Sequence, residues 1–161
     1  MIVERTENEQ WLSNAYLVAD PDRNTGLLID GNDDLGPLLE RADRDGIEIT
    51  HILVTHPHGD HVAGLAEARE QLGKPPLVAH EACAAELEQE VEIVLGDGEK
   101  LDAGGLSVEA HFTPGHAAGH LAFLLDGSAP SVPSRLADVS ELDPLIWWLS
   151  SDTPAEPEEE E

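Results

Sequence analysis

The chain has 161 residues and carries 34 acidic side chains against 8 Lys plus Arg, a formal charge of −26. Such a surface repels nucleic acid and anionic membranes, so neither is an expected partner, and no apolar run approaches the ~20 residues needed to cross a bilayer. With 40% apolar residues there is material for a core, and a single domain is the natural expectation at this length.

Two explanations of the acidity stay open: adaptation to a salt-rich cytoplasm, where dense carboxylates are screened, and an acidic, GC-rich coding bias. Lysine occurs only at Lys74 and Lys100. Cys83 is the lone cysteine, so no internal disulfide forms and a reducing compartment is expected. The opening Met1-Ile2-Val3-Glu4-Arg5 lacks the basic-then-apolar pattern of a signal peptide. These features predict a soluble, cytoplasmic protein.

Ala15 to Ala19 and Gly26 to Asp30 read as two short strands around the polar turn Asp20-Pro21-Asp22-Arg23-Asn24. From Leu35 to Arg44, leucines at 35, 38 and 39 stand among charges, which predicts an amphipathic helix ended by Gly46. Ile47 to Val54 is the next strand, and it feeds the stretch Thr55-His56-Pro57-His58-Gly59-Asp60-His61. The turn leaving the C-terminal end of a buried strand is where open α/β sheets usually keep their sites. Imidazole and carboxylate are ligands for a borderline ion such as zinc. His56 and His58, two apart in extended backbone, can direct both rings to one side. Gly59 is expected to let the chain turn sharply, so that Asp60 and His61 open a helix and face back to the pair. His51 faces the opposite way by strand alternation and is expected to be structural.

Val62 to Leu72 is the next predicted helix, closed by Gly73. Pro75-Pro76 introduces the strand Leu77-Val78-Ala79, giving a β-α-β unit and so a parallel pairing. His80 is expected to enter the Ala- and Glu-rich helix Glu81 to Glu90, where Cys83 has no basic neighbour to activate its thiol. Val91 to Leu95 and Lys100-Leu101 are predicted strands around the turn Gly96-Asp97-Gly98. The alternating strand Leu106 to Phe112 leads into Thr113-Pro114-Gly115-His116, again a histidine just past a strand end, and Leu121 to Leu125 is the next strand. On the residues alone, His116 and His120 compete as a third imidazole.

Together, His-x-His-x-Asp-His and the later Thr-Pro-Gly-His-x-x-Gly-His resemble the metallo-β-lactamase superfamily, specifically its glyoxalase II-like hydrolase branch, over roughly residues 1 to 126. The resemblance implies an α/β fold, the four-layer αβ/βα sandwich made of two halves, with the N-terminal half encoded here and the second half incomplete. It implies that His56, His58 and His116 hold one metal, that Asp60 and His61 belong to a second site, and that His120 has a supporting place. Asp30 matches an acidic position that the family sets near the metals. The implied cofactor is zinc, one ion or two, with iron in some relatives. The implied reaction on a small-molecule substrate is ester or thioester hydrolysis by a metal-bound hydroxide, with Asp60 catalytic, orienting the water or accepting its proton. No counterpart of the glutathione-binding helical domain of glyoxalase II is legible, so the resemblance does not specify a glutathione thioester. Single-iron persulfide dioxygenases, which some relatives are, form the competing enzymatic reading, and a metal-binding remnant with little activity is the non-enzymatic one.

Past Asp126-Gly127 the sequence departs from the family pattern. The family continues with an apolar strand ending in an aspartate that bridges two metals, and then a late histidine. Here Ser128 to Asp138 is rich in Pro and Ser, unlike a buried strand, and no histidine follows His120. Asp138, after Ala137, is the nearest candidate for the bridging ligand. The expected organisation is a partial domain over 1–127, a divergent segment over 128–149 and a disordered acidic tail over 150–161. The divergent segment carries an apolar patch at Trp147-Trp148 suited to self-association. A frame-shifted or truncated reading of a longer gene would account for the break. Turnover by the chain alone is then expected to be weak, because the second ion lacks a ligand.

Overall fold

The computed structural model of the chain describes residues 1–126. In chain order these form β1 (Ile2–Glu7), β2 (Asn14–Asp20), β3 (Thr25–Ile29), α1 (Gly36–Asp45), β4 (Glu48–Leu53), α2 (Gly59–Val62), α3 (Leu65–Gln71), β5 (Leu77–Ala79), α4 (Glu81–Ala84), β6 (Ile93–Val94), β7 (Lys100–Ala103), β8 (Leu106–Phe112) and β9 (Leu121–Asp126). Asp138, the Trp147-Trp148 patch and the segments 128–149 and 150–161 lie outside the described residues.

Strands β1 to β6 make one sheet in sequence order, and β7-β8-β9 make a second. In the first sheet β1, β2 and β3 pair antiparallel, whereas β3/β4, β4/β5 and β5/β6 pair parallel. The second sheet is antiparallel throughout. Every residue of β2 is buried, because its sheet is covered on both faces. One face, carrying Leu17, Leu28 and Ile52, packs under the helices on Leu38, Ala42, Leu65 and Ala68. The other, carrying Val18, Leu27, Leu53 and Val78, packs on Leu106, Val108, Leu121 and Phe123 of the second sheet. The strand period of two assigns alternate residues to the two cores. Phe123 is 1% exposed, and truncating such a side chain costs about 3–5 kcal/mol. The described residues therefore stack as helices, sheet and sheet, the α/β layering expected of an N-terminal half.

The hairpin of β2 and β3 forms as its turn residues predict. Asp20 accepts the amide of Asp22 at 2.9 Å and pairs with Arg23, and Asn24 supplies the left-handed φ of 53°. Helix α1 ends where expected, at Gly46 with φ 66°, its amide turned back to the carbonyls of Ala42 and Asp43.

Three expectations are corrected by packing. The helix expected over Val62 to Leu72 is two pieces, α2 and α3. At Gly64 the backbone presses so close to Asn32 that a Cβ would sit 2.2 Å from its carbonyl oxygen, and the Gly64 amide bonds to Gly31 O at 2.8 Å. The helix expected over Glu81 to Glu90 stops at Ala84. Glu86, Glu88, Glu90 and Glu92 crowd like charges there, and the chain uncoils to deliver Glu92 to the amide of Leu77 at 2.8 Å and to Arg69. Consequently the strand expected over Val91 to Leu95 shrinks to β6. Strand β1 has no counterpart in the sequence reading, because its charged positions hide the alternation; it is a sheet edge, where charges also guard against pairing with another chain.

Candidate metal centre

Strand β4 ends by handing its hydrogen bonds to side chains. The amide of Thr55 donates to Asp30 Oδ1 at 2.7 Å and its hydroxyl donates to Asp30 Oδ2 at 2.8 Å, while its carbonyl accepts from Leu121 N at 2.9 Å. That last bond ties the start of β9 to the end of β4, so His56 sits where both sheets terminate. His58 stays extended, with φ −63° and ψ 143°, and α2 begins behind it, its carbonyl accepting from His61 N at 2.9 Å. Gly59 has no positive φ and open space around its Cα. The sharp turn attributed to it is made by ordinary backbone angles at His58 instead.

The loop after β8 comes from the second sheet. It is closed by Thr113 N donating to His120 O at 3.0 Å, and Thr113 Oγ1 lies 2.7 Å from His120 Nδ1. Gly119 lets the loop lie flat on α4, where a Cβ would stand 2.3 Å from Cys83 N. His116 is thereby carried to the pair from β4.

The donor atoms of His56, His58 and His116 all lie within 4.8 Å of one another. Ring centroids are 4.7 Å apart for His56–His58, 4.9 Å for His56–His116 and 4.6 Å for His58–His116. His56 is buried, and the other two are exposed. Its Nδ1 is 2.9 Å from Thr55 Oγ1, while its Nε2 is buried without a hydrogen-bond partner. A buried polar nitrogen without a partner costs free energy unless something occupies it. A divalent ion held by three neutral imidazoles fits that place. Burial, helped by the neighbouring His61, His120 and His58 rings and opposed by the Asp30 carboxylate, pulls the His56 pKa down to about 3, so the ring is neutral and its lone pair available.

His61 is also buried, its centroid 4.1 Å from that of His56. Its Nδ1 donates to Asp30 Oδ2 at 2.9 Å, and its Nε2 is 3.5 Å from Asp60 Oδ2. Asp60 and His61 thus stand together beside the three-histidine cluster. His120 is buried with its ring 5.1 Å from His56 and 6.3 Å from His116, beside the cluster and bonded to Thr113. His51 remains in mid-strand, 3.0 Å from Thr50 Oγ1, and His80 enters α4, accepting the Ala82 amide at 3.1 Å. Neither belongs to the cluster.

Sequence reasoning singled out Asp30 but missed its companions. Ser13 Oγ donates to the Asp60 carbonyl at 2.9 Å, and Asn32 Nδ2 donates to the Ser13 carbonyl at 3.0 Å. The Gly31 amide reaches His61 O at 2.7 Å. These bonds lash the β1–β2 connection, the loop after β3 and α2 into one support. No local pattern announces them, since each joins segments far apart in sequence.

The chain belongs to the metallo-beta-lactamase superfamily, whose sequence profile matches residues 9–128. It is 35% identical over 113 residues to a hydroxyacylglutathione hydrolase of Rhodopseudomonas palustris (strain BisB5), covering 69% of this chain and 42% of that protein. To the hydroxyacylglutathione hydrolase of Ruegeria pomeroyi it is 36% identical over 111 residues, with coverage of 69% and 42%. The chain thus spans less than half the length of these curated relatives. Its fold is similar to that of ETHE1 from Myxococcus xanthus, with a TM-score of 0.66 at 24% identity over 78% of this chain and 54% of that one. A metallo-beta-lactamase from Staphylococcus aureus matches with a TM-score of 0.67 at 20% identity, over 78% and 37%. No helix among the described residues is long and apolar enough to cross a membrane.

Proposed function

We propose that this chain is a glyoxalase II-like, zinc-dependent hydrolase of small-molecule esters or thioesters. The observation that carries the reading is the convergence of His56, His58 and His116 within 4.8 Å around the unpartnered Nε2 of His56. The relatives' names, hydroxyacylglutathione hydrolase, support a thioester as substrate class.

Three histidines are the donor set of catalytic rather than structural zinc sites, and His56, His58 and His116 would hold the ion here. An ion held there supplies Lewis acidity toward a carbonyl and lowers the pKa of a bound water to ~7. The chain's own residues do the rest. Asp60, its Oδ2 3.5 Å from His61 Nε2, orients the attacking water or accepts its proton, and the same pair offers a carboxylate and an imidazole to a second ion. Ser13 holds the Asp60 backbone in place through its carbonyl. His120 backs the His116 loop through Thr113.

The test is metal analysis of the purified full chain, followed by hydrolysis assays on hydroxyacylglutathione, simple thioesters and lactones. Hydrolysis that is lost on chelation and restored by zinc is the expected result. A zinc-loaded protein that cleaves none of the panel overturns the reading. One tightly bound iron together with oxygen consumption would replace it with a single-iron oxygenase.

A further inference from the structure

We propose that Thr55 is a positioning residue: its hydroxyl holds His56 as the Nδ1–H tautomer, and through it the buried carboxylate of Asp30 orients one imidazole in each half of the metal site. The argument is a count of hydrogens. Asp30 is 3% exposed, and its two oxygens meet three donors: the Thr55 amide at 2.7 Å, the Thr55 hydroxyl at 2.8 Å and His61 Nδ1 at 2.9 Å. An ionised carboxylate only accepts. The Thr55 hydroxyl has one hydrogen, and it goes to Asp30 Oδ2. Toward His56 Nδ1, 2.9 Å away, the same oxygen can then only accept, so the hydrogen of that bond sits on the ring. Turning the hydroxyl toward His56 would leave two bare acceptor oxygens 2.8 Å apart in a dry setting, which is costly.

His61 Nδ1, facing the same carboxylate oxygen, carries a hydrogen for the same reason. The His56 ring, with the hydrogen on Nδ1, therefore turns its Nε2 lone pair away from Asp30. That nitrogen is the buried atom without a partner, and His61 Nε2 is the one beside Asp60 Oδ2. The backbone enforces the arrangement: Asp30 adopts a left-handed φ of 60°, uncommon for a residue other than glycine, with its amide held by Leu53 O at 2.8 Å. Thr55 is thus the link by which one carboxylate reaches the deeper of the two imidazoles.

A wrong tautomer places N–H where the ligand lone pair must be, and outer hydrogen-bond partners of this kind change metal affinity by about 10–100-fold. Thr55→Val keeps the side chain's size and removes only the hydroxyl, leaving His61 in contact with Asp30 as an internal control. Thr55→Ser retains the hydroxyl. The direct readout is the proton–nitrogen correlation spectrum of the metal-free full chain labelled with nitrogen-15 in its histidines, which tells which ring nitrogen bears hydrogen. In the wild type, His56 and His61 should both be Nδ1–H. In Thr55→Val, His56 should lose that preference while His61 keeps it, and zinc affinity, measured by competition with a chelator, should fall by about 10–100-fold. Thr55→Ser should restore both.

A wild-type His56 carrying its hydrogen on Nε2 overturns the proposal. So does a Thr55→Val protein with unchanged tautomer and affinity, or a serine variant no better than valine. If the valine variant does not fold, the wild-type and serine spectra still decide. The affinity arm rests on the metal reading above. The tautomer is read without metal, so a failure to hydrolyse esters leaves it standing, and an active hydrolase with the opposite tautomer refutes it alone.

Discussion

The three cluster histidines are held differently. Burial and the Thr55 contact immobilise His56, whereas His58 and His116 are exposed. Two imidazoles are too few neutral donors to retain zinc, so His58→Ala should lose stoichiometric metal, measured by elemental analysis after dialysis. One tightly held zinc in that variant would reject the ligand assignment. Away from the cluster, Cys83 is fully buried, and burial first, with the Asp30 and Glu86 carboxylates adding, pushes its thiol from 9.0 up to about 12. Burial likewise raises the Tyr16 hydroxyl from 10.0 to about 12. The unfolded chain therefore gives up these protons at lower pH than the folded one. Their contribution to stability is complete below the unfolded values and is lost as pH rises toward the folded ones. Urea midpoints should drop between pH ~8 and ~10.5, less steeply in Cys83→Ala. Midpoints level across that range would contradict the burial argument.

Elements place the loops, and glycines set how closely the elements approach. Gly119 allows the His116 loop to lie against α4, and a Cβ there would meet Cys83 N at 2.3 Å, a backbone atom that cannot swing aside. Gly119→Ala should cost about 1–3 kcal/mol of stability, as overpacking does, and should weaken zinc binding because the loop carries His116. Gly59, inside the histidine motif itself, has no neighbour within 4 Å of an added Cβ. Gly59→Ala should change stability by no more than ~0.5 kcal/mol and leave zinc affinity intact. Thermal melts and chelator competition on the two variants check this contrast. The reverse ranking would mean that the motif's own glycine, and not the packing glycine, builds the site.

Over the whole molecule the balance is 34 carboxylates to 8 Lys plus Arg, and among the described residues two arginines join elements that are apart in sequence. Arg41 of α1 binds Glu4 of β1 and Asp45, each at 2.6 Å, and Arg69 of α3 binds Glu92 ahead of β6. The remaining carboxylates repel one another over distances that salt shortens to ~10 Å at 0.1 M. The melting temperature should therefore rise from low to high sodium chloride. A flat or falling trend would show that the surface charges are already too far apart to matter.

Strands β2 to β5, β8 and β9, the helix α1 and the His-x-His-x-Asp-His turn were legible in the sequence because each rests on short-range signals: alternation, an amphipathic stripe, a glycine at a helix end. The same locality made Asp30 and His116 visible as strand-end residues, each at its own turn. What brings them together is long-range. Apolar faces of the two sheets, Leu27, Leu53 and Val78 against Leu106, Leu121 and Phe123, bury each other, and that packing carries the His116 loop to His56. The break at Gly64, the uncoiling beyond Ala84 and the Ser13 and Asn32 supports were likewise decided only in the folded chain. In each case a partner distant in sequence outbids the local preference, because a buried backbone or carboxylate group left without a hydrogen bond costs more than a turn of helix returns.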